Sequence, residues 1–232
     1  MNSVYSSLLC CVANHGALEK SRALDIFSRI HQANHQGANR RSIVHLDEAI
    51  AEINRNISRF DQKIVEINYS LPGAEAPYIT FISTSESAIS KQQNLWNPAE
   101  VELFRLMLRE ITTADDHKRS IFDCINLAGK VHVRQISKTR AEKVIQKWIL
   151  TGYFYEQDED VHLGPRLIAE FGTNLRTYFK DYVNMCDICK AIVFWGPRCG
   201  NCEELFHKEC LDKCLSRIQT CPSCKETFKS PV

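Results

Sequence analysis

Near its C-terminus the chain concentrates the kinds of residue that bind metal ions. Eight of its eleven cysteines lie between Cys186 and Cys224, and His207 lies among them. In a reducing compartment, such a cluster holds metal more often than disulfides. This feature constrains the fold most, because a segment of this size with few large aliphatic residues cannot bury enough surface to fold by itself. We therefore expect folding and metal binding to be one event.

The spacing of these residues sorts them into pairs. In each pair two residues separate the members, which lets both side chains of a tight turn reach one ion. The pairs are Cys186/Cys189, Cys199/Cys202, His207/Cys210 and Cys221/Cys224. Four pairs supply two tetrahedral sites, so we predict two structural Zn²⁺ ions with no open position for activating water. Cys214 is left over, and we expect it to be a small, half-buried helix residue.

The ligand order of four cysteines, one histidine and three cysteines resembles a variant RING domain. The resemblance implies interleaved ligands, with Cys186, Cys189, His207 and Cys210 on one ion and Cys199, Cys202, Cys221 and Cys224 on the other. Spacing alone also allows two consecutive sites. PHD fingers share the order, but they usually carry an aromatic residue where this chain has Gln219, which disfavours that alternative.

RING domains promote ubiquitin transfer by docking a ubiquitin-conjugating enzyme, and they supply no catalytic side chain of their own. The resemblance implies that Ile188, Pro222 and Lys225 contact that enzyme, with loop packing as the alternative role of the first two. Lys225 offers a point charge rather than the planar fork of an arginine. Many active RINGs place a tryptophan where this chain has Cys214, so we expect activity without a partner to be slight.

Upstream of the cluster, one order of helices and strands occurs twice. The first set has helices at residues 4–16, 17–30 and 45–60, then strands at 65–69 and 78–83 joined by a turn at 71–77. In the second set, Asn97 and Pro98 open a helix, a second helix covers 120–127, a short strand covers 131–133, and Ser137 opens a third helix that stops at Gly152. A hairpin and a closing helix at 165–179 follow.

These patterns predict a mostly α protein with small β-hairpins, an α+β fold of tandem winged helices and a C-terminal RING-like zinc module. The predicted domains are a first winged helix at 1–82, a linker at 83–95, a second winged helix with its closing helix at 96–180, and the zinc domain at 181–232. The cysteines outside the cluster, Cys10, Cys11 and Cys124, are predicted to be small buried side chains.

Charge suggests what the winged helices bind. The net charge is +1, so any DNA contact must come from a local patch. The third helix of the first winged helix exposes acids that would repel phosphate, namely Asp47, Glu48 and Glu52, which favours a protein partner. In the second, Arg140, Lys143 and Lys147 form a candidate DNA-contacting stripe. Four acids follow it, Glu156, Asp158, Glu159 and Asp160, so a solvated face or an acidic protein partner is the alternative.

Tandem winged helices followed by a variant RING resemble the family of non-SMC element one, the RING subunit of the SMC five/six chromosome-maintenance complex. The stretches ELFRLMLREI and AEKVIQKWILTGYFYEQDEDVHLGPRLIAEF and the zinc module carry the likeness. It implies a nuclear, chromosome-associated protein that acts in DNA repair by homologous recombination. It also implies a MAGE-type winged-helix partner, a kleisin subunit and partner-dependent ubiquitin ligase activity. The alternative is a non-catalytic architectural or DNA-binding subunit.

The N-terminal apolar run lacks the basic leader of a secretory signal and is too short to span a bilayer. We therefore expect a soluble intracellular protein with no membrane contact. Nothing in the sequence predicts a small-molecule substrate.

Overall fold

The computed structural model describes residues 2–34, 45–71, 74–84 and 96–230. Its first winged helix has the order helix, strand, helix, helix, strand, strand. The elements are α1 (Ser3–His15), β1 (Ala17–Glu19), α2 (Lys20–Asn34), α3 (Leu46–Ile57), β2 (Gln62–Leu71) and β3 (Ala74–Ser83). The strands form one sheet in the order β1-β3-β2, and β1 pairs antiparallel with β3 through Leu18 and Ile79.

The second winged helix repeats this order and this strand arrangement. Its elements are α4 (Pro98–Thr112), β4 (Lys118–Ser120), α5 (Ile121–Asn126), α6 (Lys138–Leu150), β5 (Phe154–Gln157), β6 (Asp160–Leu163) and the closing helix α7 (Pro165–Tyr178). The sheet order is β4-β6-β5. The predicted α+β fold with tandem winged helices is confirmed.

Local sequence explains where the second set of helices begins. The Asn97 side chain accepts a hydrogen bond from the Glu100 N–H, and the Glu100 side chain accepts one from the Asn97 N–H, a complete capping box with Pro98 in the first turn. Ser137 caps α6 by accepting from the Arg140 N–H. Both predicted helix starts are confirmed.

Each winged helix has its own core. The first buries aliphatic residues of its three helices with Ile64 and Ile79 of the sheet. The second is built on contacting aromatic rings, which are Trp96, Phe104, Trp148, Tyr153, Phe154 and Phe171. The backbones of the two winged helices come close at Gly152, where a Cβ would lie 2.5 Å from the Cβ of Ala17. Only glycine fits there, and its φ of 78° also favours glycine.

Several predicted elements were wrong in detail. Residues 17–19 form β1 rather than the start of a helix, and the predicted strand at 131–133 is irregular, while β4 lies earlier in the chain. The predicted turn at 71–77 is shorter, because Leu71 ends β2 and residues 74–77 belong to β3. Cys10 is exposed and Cys11 half-buried, whereas Cys124 is buried as predicted. Most of the predicted linker lies outside the described residues.

The chain divides into two compact units. One contains residues 1–67 and 78–171, and the other contains residues 68–77 and 172–232. The second unit holds the cysteine cluster, the short strands β7 (Asn184–Met185) and β8 (Ile192–Val193), and the helix α8 (Lys208–Leu215). Within the described residues, no helix is both long enough and apolar enough to cross a membrane.

Candidate metal centre

The structure brings eight ligand-type residues together in two clusters. The first contains Cys186, Cys189, His207 and Cys210, and the second contains Cys199, Cys202, Cys221 and Cys224. In each cluster the ligand atoms all lie within 4.8 Å of one another. The grouping is the interleaved one, because the first pair joins the third and the second joins the fourth. Three thiols with an imidazole, and four thiols, are donor sets of tetrahedral structural zinc.

Three of the four pairs sit in turns of the same design. The backbone N–H of the residue after the second cysteine donates to the carbonyl of the first cysteine, as Lys190 does to Cys186, Glu203 to Cys199 and Lys225 to Cys221. These three donors all have positive φ, at 57°, 61° and 67°. The turn directs both thiols to one side, so two cysteines separated by two residues can bind the same metal ion.

The fourth pair comes from the start of a helix. His207 is the N-cap of α8, and Cys210 lies in its first turn. The His207 Nδ1 lies 3.3 Å from the Cys189 Sγ, while Nε2 lies 3.0 Å from the Ile192 carbonyl oxygen. Because a carbonyl only accepts, Nε2 carries the proton, and Nδ1 is left with a lone pair directed into the cluster. A hydrogen bond from the far ring nitrogen to a carbonyl fixes the tautomer of a metal-binding histidine.

The acid–base properties of the first cluster also fit a cation. Burial raises the pKa of the Cys186 thiol, whereas hydrogen bonds from the backbone N–H groups of Cys189, His207 and Ile188 lower it. Burial and the neighbouring thiolates of Cys189 and Cys186 raise the pKa of Cys210 to about 12. Three thiols this close cannot all ionise unless a cation lies among them. The residues present therefore fit a divalent metal ion that accepts thiolate ligands.

The metal clusters form much of the interior of this unit. The buried cluster around the metal sites comprises Cys186, Val193, Cys199, Leu205, Phe206, Cys210, Leu211 and Cys221. Half of these residues are ligand-type cysteines, so few apolar side chains remain to hold this cluster together. Gly196 permits the close packing, because a Cβ there would lie 1.9 Å from the Phe206 carbonyl oxygen.

The residues predicted to contact a conjugating enzyme lie on the turns of the first and last pairs. Ile188 is 37% exposed, and Pro222 is half-buried. The Ser223 hydroxyl donates to the Asp187 carboxylate over 2.5 Å and so joins the two turns beside them. The Lys225 ammonium donates to the Pro222 carbonyl, which folds this side chain back onto its own turn. Cys214 is half-buried on α8.

The basic stripe on α6 is less uniform than its spacing indicates. Arg140 donates from Nε and Nη2 to the Glu100 Oε1, at 2.9 and 2.5 Å, and the Glu100 side chain is only 5% exposed. Arg140 is therefore engaged within the winged helix. Lys143 and Lys147 are exposed one helical turn apart. In the following hairpin, Asp160 accepts from Lys118 over 2.6 Å.

Sequence reasoning missed two residues that contact the metal-binding helix from far along the chain. The Asn68 Nδ2 lies 3.5 Å from the Cys210 Sγ, and the Glu75 Oε2 lies 3.2 Å from the Lys208 Nζ. Both come from residues 68–77, in the same compact unit as the clusters. Nothing in their local sequence differs from an ordinary hairpin, so no local signal could have identified them.

Comparison with known proteins assigns a family. The family described as "Nse1 non-SMC component of SMC5-6 complex" matches residues 7–171, and the "RING-like domain" family matches residues 186–224. The non-structural maintenance of chromosomes element 1 homolog of Drosophila melanogaster is 29% identical, with 100% of this chain and 98% of that protein aligned. The human homolog is 24% identical, with 100% of this chain and 86% of that protein aligned.

A solved structure has the same fold. A chain of the "Nse1-Nse3-Nse4 complex" superposes with a TM-score of 0.76 and 21% sequence identity, covering 100% of this chain and 99% of that one. At this identity the likeness concerns the fold. It covers the winged helices and the RING-like region together.

Proposed function

The chain belongs to the family of Nse1 non-SMC components of the SMC5-6 complex, and from this premise we propose that it is a RING-type E3 ubiquitin ligase component acting in DNA repair by homologous recombination. The observation that carries the proposal is the interleaved pair of clusters, which fixes the turns bearing Ile188 and Pro222. A RING exposes such apolar turns to a conjugating enzyme. It needs no catalytic side chain, because it positions that enzyme rather than the substrate.

We propose that both clusters hold Zn²⁺, giving two structural ions per chain. The ligands are Cys186, Cys189, His207 and Cys210 on one ion, and Cys199, Cys202, Cys221 and Cys224 on the other. Each cluster already supplies four donors, so a bound ion would stabilise the fold and would not activate water. Elemental analysis of pure protein should give two zinc ions per chain, and a smaller number would contradict this assignment.

The proposed partners follow from family membership. The similar structure carries the name of a complex with Nse3 and Nse4, so we propose a MAGE-type winged-helix subunit and a kleisin as the partners of this chain. The exposed acids Asp47 and Glu48 on α3 support protein rather than phosphate binding by the first winged helix. The proposed location is nuclear and chromosome-associated. Copurification from cells of the native organism tests these partners.

Autoubiquitination tests the ligase proposal. The full-length, zinc-loaded chain is assayed with a panel of ubiquitin-conjugating enzymes, with and without the MAGE-type partner. We expect activity chiefly with the partner, because Cys214 replaces the tryptophan of many active RINGs. Ile188→Ala should lower the activity about tenfold or more, the effect of losing an interface anchor. Ile218→Ala is the matched control, because Ile218 is an exposed isoleucine of the same unit outside the proposed contact.

The outcome separates a ligase component from an architectural subunit. The Lys225 side chain, which folds back onto its own turn, and the small Cys214 favour the architectural alternative, since both weaken the surface offered to a conjugating enzyme. No activity with any conjugating enzyme, in a preparation with both zinc sites filled and the partner bound, would establish that alternative. Equal activity of the Ile188 and Ile218 variants would contradict the proposed docking surface.

We further propose a DNA contact at Lys143 and Lys147, because both side chains are exposed on one face of α6. Lys143→Gln combined with Lys147→Gln should weaken duplex DNA binding and flatten its salt dependence. Arg140 is less suitable for this test, because its replacement also removes the ion pair with Glu100. Unchanged affinity of the double variant would identify the two lysines as a solvated face.

A further inference from the structure

Two residues of the β2–β3 hairpin, Asn68 and Glu75, lie beside the first metal cluster. Residues 68–77 of this hairpin belong to the same compact unit as residues 172–232. Asn68 contacts the Sγ of Cys210, 142 residues further along the chain, and Glu75 pairs with Lys208. Cys210 and Lys208 both lie in the first turn of α8, the helix that supplies two ligands of this cluster. Both contacts are made at the first cluster and neither at the second.

The chemistry of the Asn68 contact specifies its direction. A metal-bound thiolate only accepts hydrogen bonds, so the amide presents its N–H₂ group, as the 3.5 Å distance from Nδ2 to Sγ indicates. A neutral donor at a buried thiolate withdraws charge from the sulfur without competing for the metal. Outer-shell partners of this kind typically change metal affinity by about 10- to 100-fold.

The ion pair of Glu75 and Lys208 has a different role. Its side chains are 29% and 59% exposed, so it contributes little stability by itself. It nevertheless joins the hairpin to the helix turn next to His207, and it holds that turn at a second point. Two contacts, one with a ligand and one with the helix that carries it, restrict how far α8 can move.

We infer that Asn68 is a positioning residue of the first metal site, where its side-chain amide donates to the Cys210 thiolate while Glu75 and Lys208 hold the hairpin against α8. The inference rests on the proposed binding of zinc to the two clusters. It assigns part of the first site to a segment of the first winged helix. The first site, unlike the second, requires this hairpin for full affinity.

The test compares variants of the full-length, zinc-loaded chain. Asn68→Ala removes the donor, and Asn68→Asp keeps the shape but places a carboxylate against the thiolate. Asn201→Ala is the matched control, since the Asn201 side chain donates over 3.1 Å to the Thr227 carbonyl in the same unit, and the substitution keeps the backbone N–H that bonds the Cys199 sulfur. Zinc affinity is measured by competition with a chelator of known affinity. Co²⁺ substitution distinguishes the two sites, because a site with three thiolates and an imidazole absorbs differently from one with four thiolates.

We expect Asn68→Ala to weaken one zinc site about tenfold and Asn68→Asp to weaken it more, with the second site unchanged. The control should retain both affinities. A second readout is the rate at which an alkylating reagent modifies Cys210, followed by mass spectrometry. It should rise in Asn68→Ala, because the thiolate loses a donor that lowers its charge. Unchanged affinity and unchanged alkylation in this variant would overturn the inference.

A charge-reversal pair tests the ion pair of Glu75 and Lys208, here called the clamp, even if the Asn68 variants do not fold. Glu75→Lys and Lys208→Glu should each speed zinc release from the first site, and the double variant should restore the slower release. Failure of the double variant to restore it would contradict the clamp. The outcomes remain distinct from those of the zinc proposal. Wild-type protein with fewer than two zinc ions would refute the metal sites. Wild-type protein with two zinc ions, together with variants whose zinc affinity and zinc release equal those of the wild type, would refute only the role of the hairpin.

Discussion

At the scale of single residues, Glu100 combines two structural roles in the second winged helix. Its carboxylate accepts from the backbone of Asn97 and from the guanidinium of Arg140. The Glu100 side chain is 5% exposed, whereas that of Arg140 is 57% exposed. The carboxylate of Glu100 therefore loses most of its contact with water, and the more exposed guanidinium of Arg140 compensates its charge.

This asymmetry predicts the cost of losing the arginine. Arg140→Ala leaves a buried carboxylate without its cation, and we expect it to lower the free energy of unfolding by about 2–3 kcal/mol, somewhat less than for a fully buried pair. Lys143→Ala, an exposed cation on the same helix, should change it by less than about 0.5 kcal/mol. Urea unfolding of both variants measures the difference. Equal values would mean that the ion pair contributes nothing beyond an ordinary surface charge.

His162 predicts a dependence of stability on pH. Burial lowers its pKa below the usual 6.5, and the charge of Lys118 lowers it further, against the opposing charges of Asp160 and Asp116. The neutral ring is therefore favoured in the folded protein. Stability from this residue is fully present above about pH 6.5 and is lost as the pH falls through the lower folded pKa, because protons then bind preferentially to the unfolded chain.

The comparison of wild type with His162→Gln isolates this effect. Acid also protonates other groups, but their contributions are common to both proteins and cancel in the difference. We expect the difference in free energy of unfolding to shrink as the pH is lowered from about 7.5 to 5.5, because the wild type loses stability faster. A difference that does not vary with pH would show that His162 keeps its ordinary titration in the fold.

At the scale of elements, the helices and the β5–β6 hairpin were predicted well, whereas the three-residue strands β1 and β4 were not. The caps Asn97 and Ser137 make the starts of their helices predictable from local sequence. Each cap side chain accepts a hydrogen bond from the backbone N–H three residues later, in the first turn of its helix. β1 and β4 have three residues each, too few to show an alternating pattern. Their strand state comes from distant partners, as when Leu18 pairs with Ile79. Such pairing overrides the local preference for helix.

The β5–β6 hairpin contains a strained turn that can be improved. Asp158 and Glu159 both have positive φ, at 52° and 69°, which is the conformation of a two-residue turn that favours Asn-Gly. Glu159→Gly should raise the free energy of unfolding by a few tenths to about 1 kcal/mol, because glycine adopts this conformation without a Cβ clash. Glu156→Gly, in the adjacent strand, should be destabilising instead. Thermal unfolding of both variants is the measurement. A Glu159→Gly variant that is no more stable than the wild type would indicate that the turn is unstrained.

At the scale of the whole molecule, the candidate site was more predictable than the contacts that support it. All eight clustered residues could be named from spacing, because each pair is a local turn or helix start. Spacing could not decide between interleaved and consecutive sites, since that choice depends on how the pairs pack together. It could not identify Asn68 either, whose contact with Cys210 exists only in the folded chain.

The small core of the cysteine-rich unit predicts what removal of metal does to the protein. Apart from ligand cysteines, the buried cluster around its metal sites contains four apolar residues, Val193, Leu205, Phe206 and Leu211. Structural zinc contributes on the order of 10–16 kcal/mol in small peptides, as much as the whole stability of many domains. Chelation should therefore unfold this unit, while the winged helices, which have separate apolar cores, keep their helices.

Hydrogen exchange followed by mass spectrometry can resolve this partial unfolding. After chelation, amide protection should be lost in β7, β8 and α8 and retained in α4 and α6. Exchange should also rise around Asn68, because Cys210, which its side chain contacts, loses its position. A chelator presaturated with Zn²⁺ is the control and should change nothing. Protection retained throughout α8 in metal-free protein would mean that the four apolar residues suffice, and that the clusters are not what holds this unit in its fold.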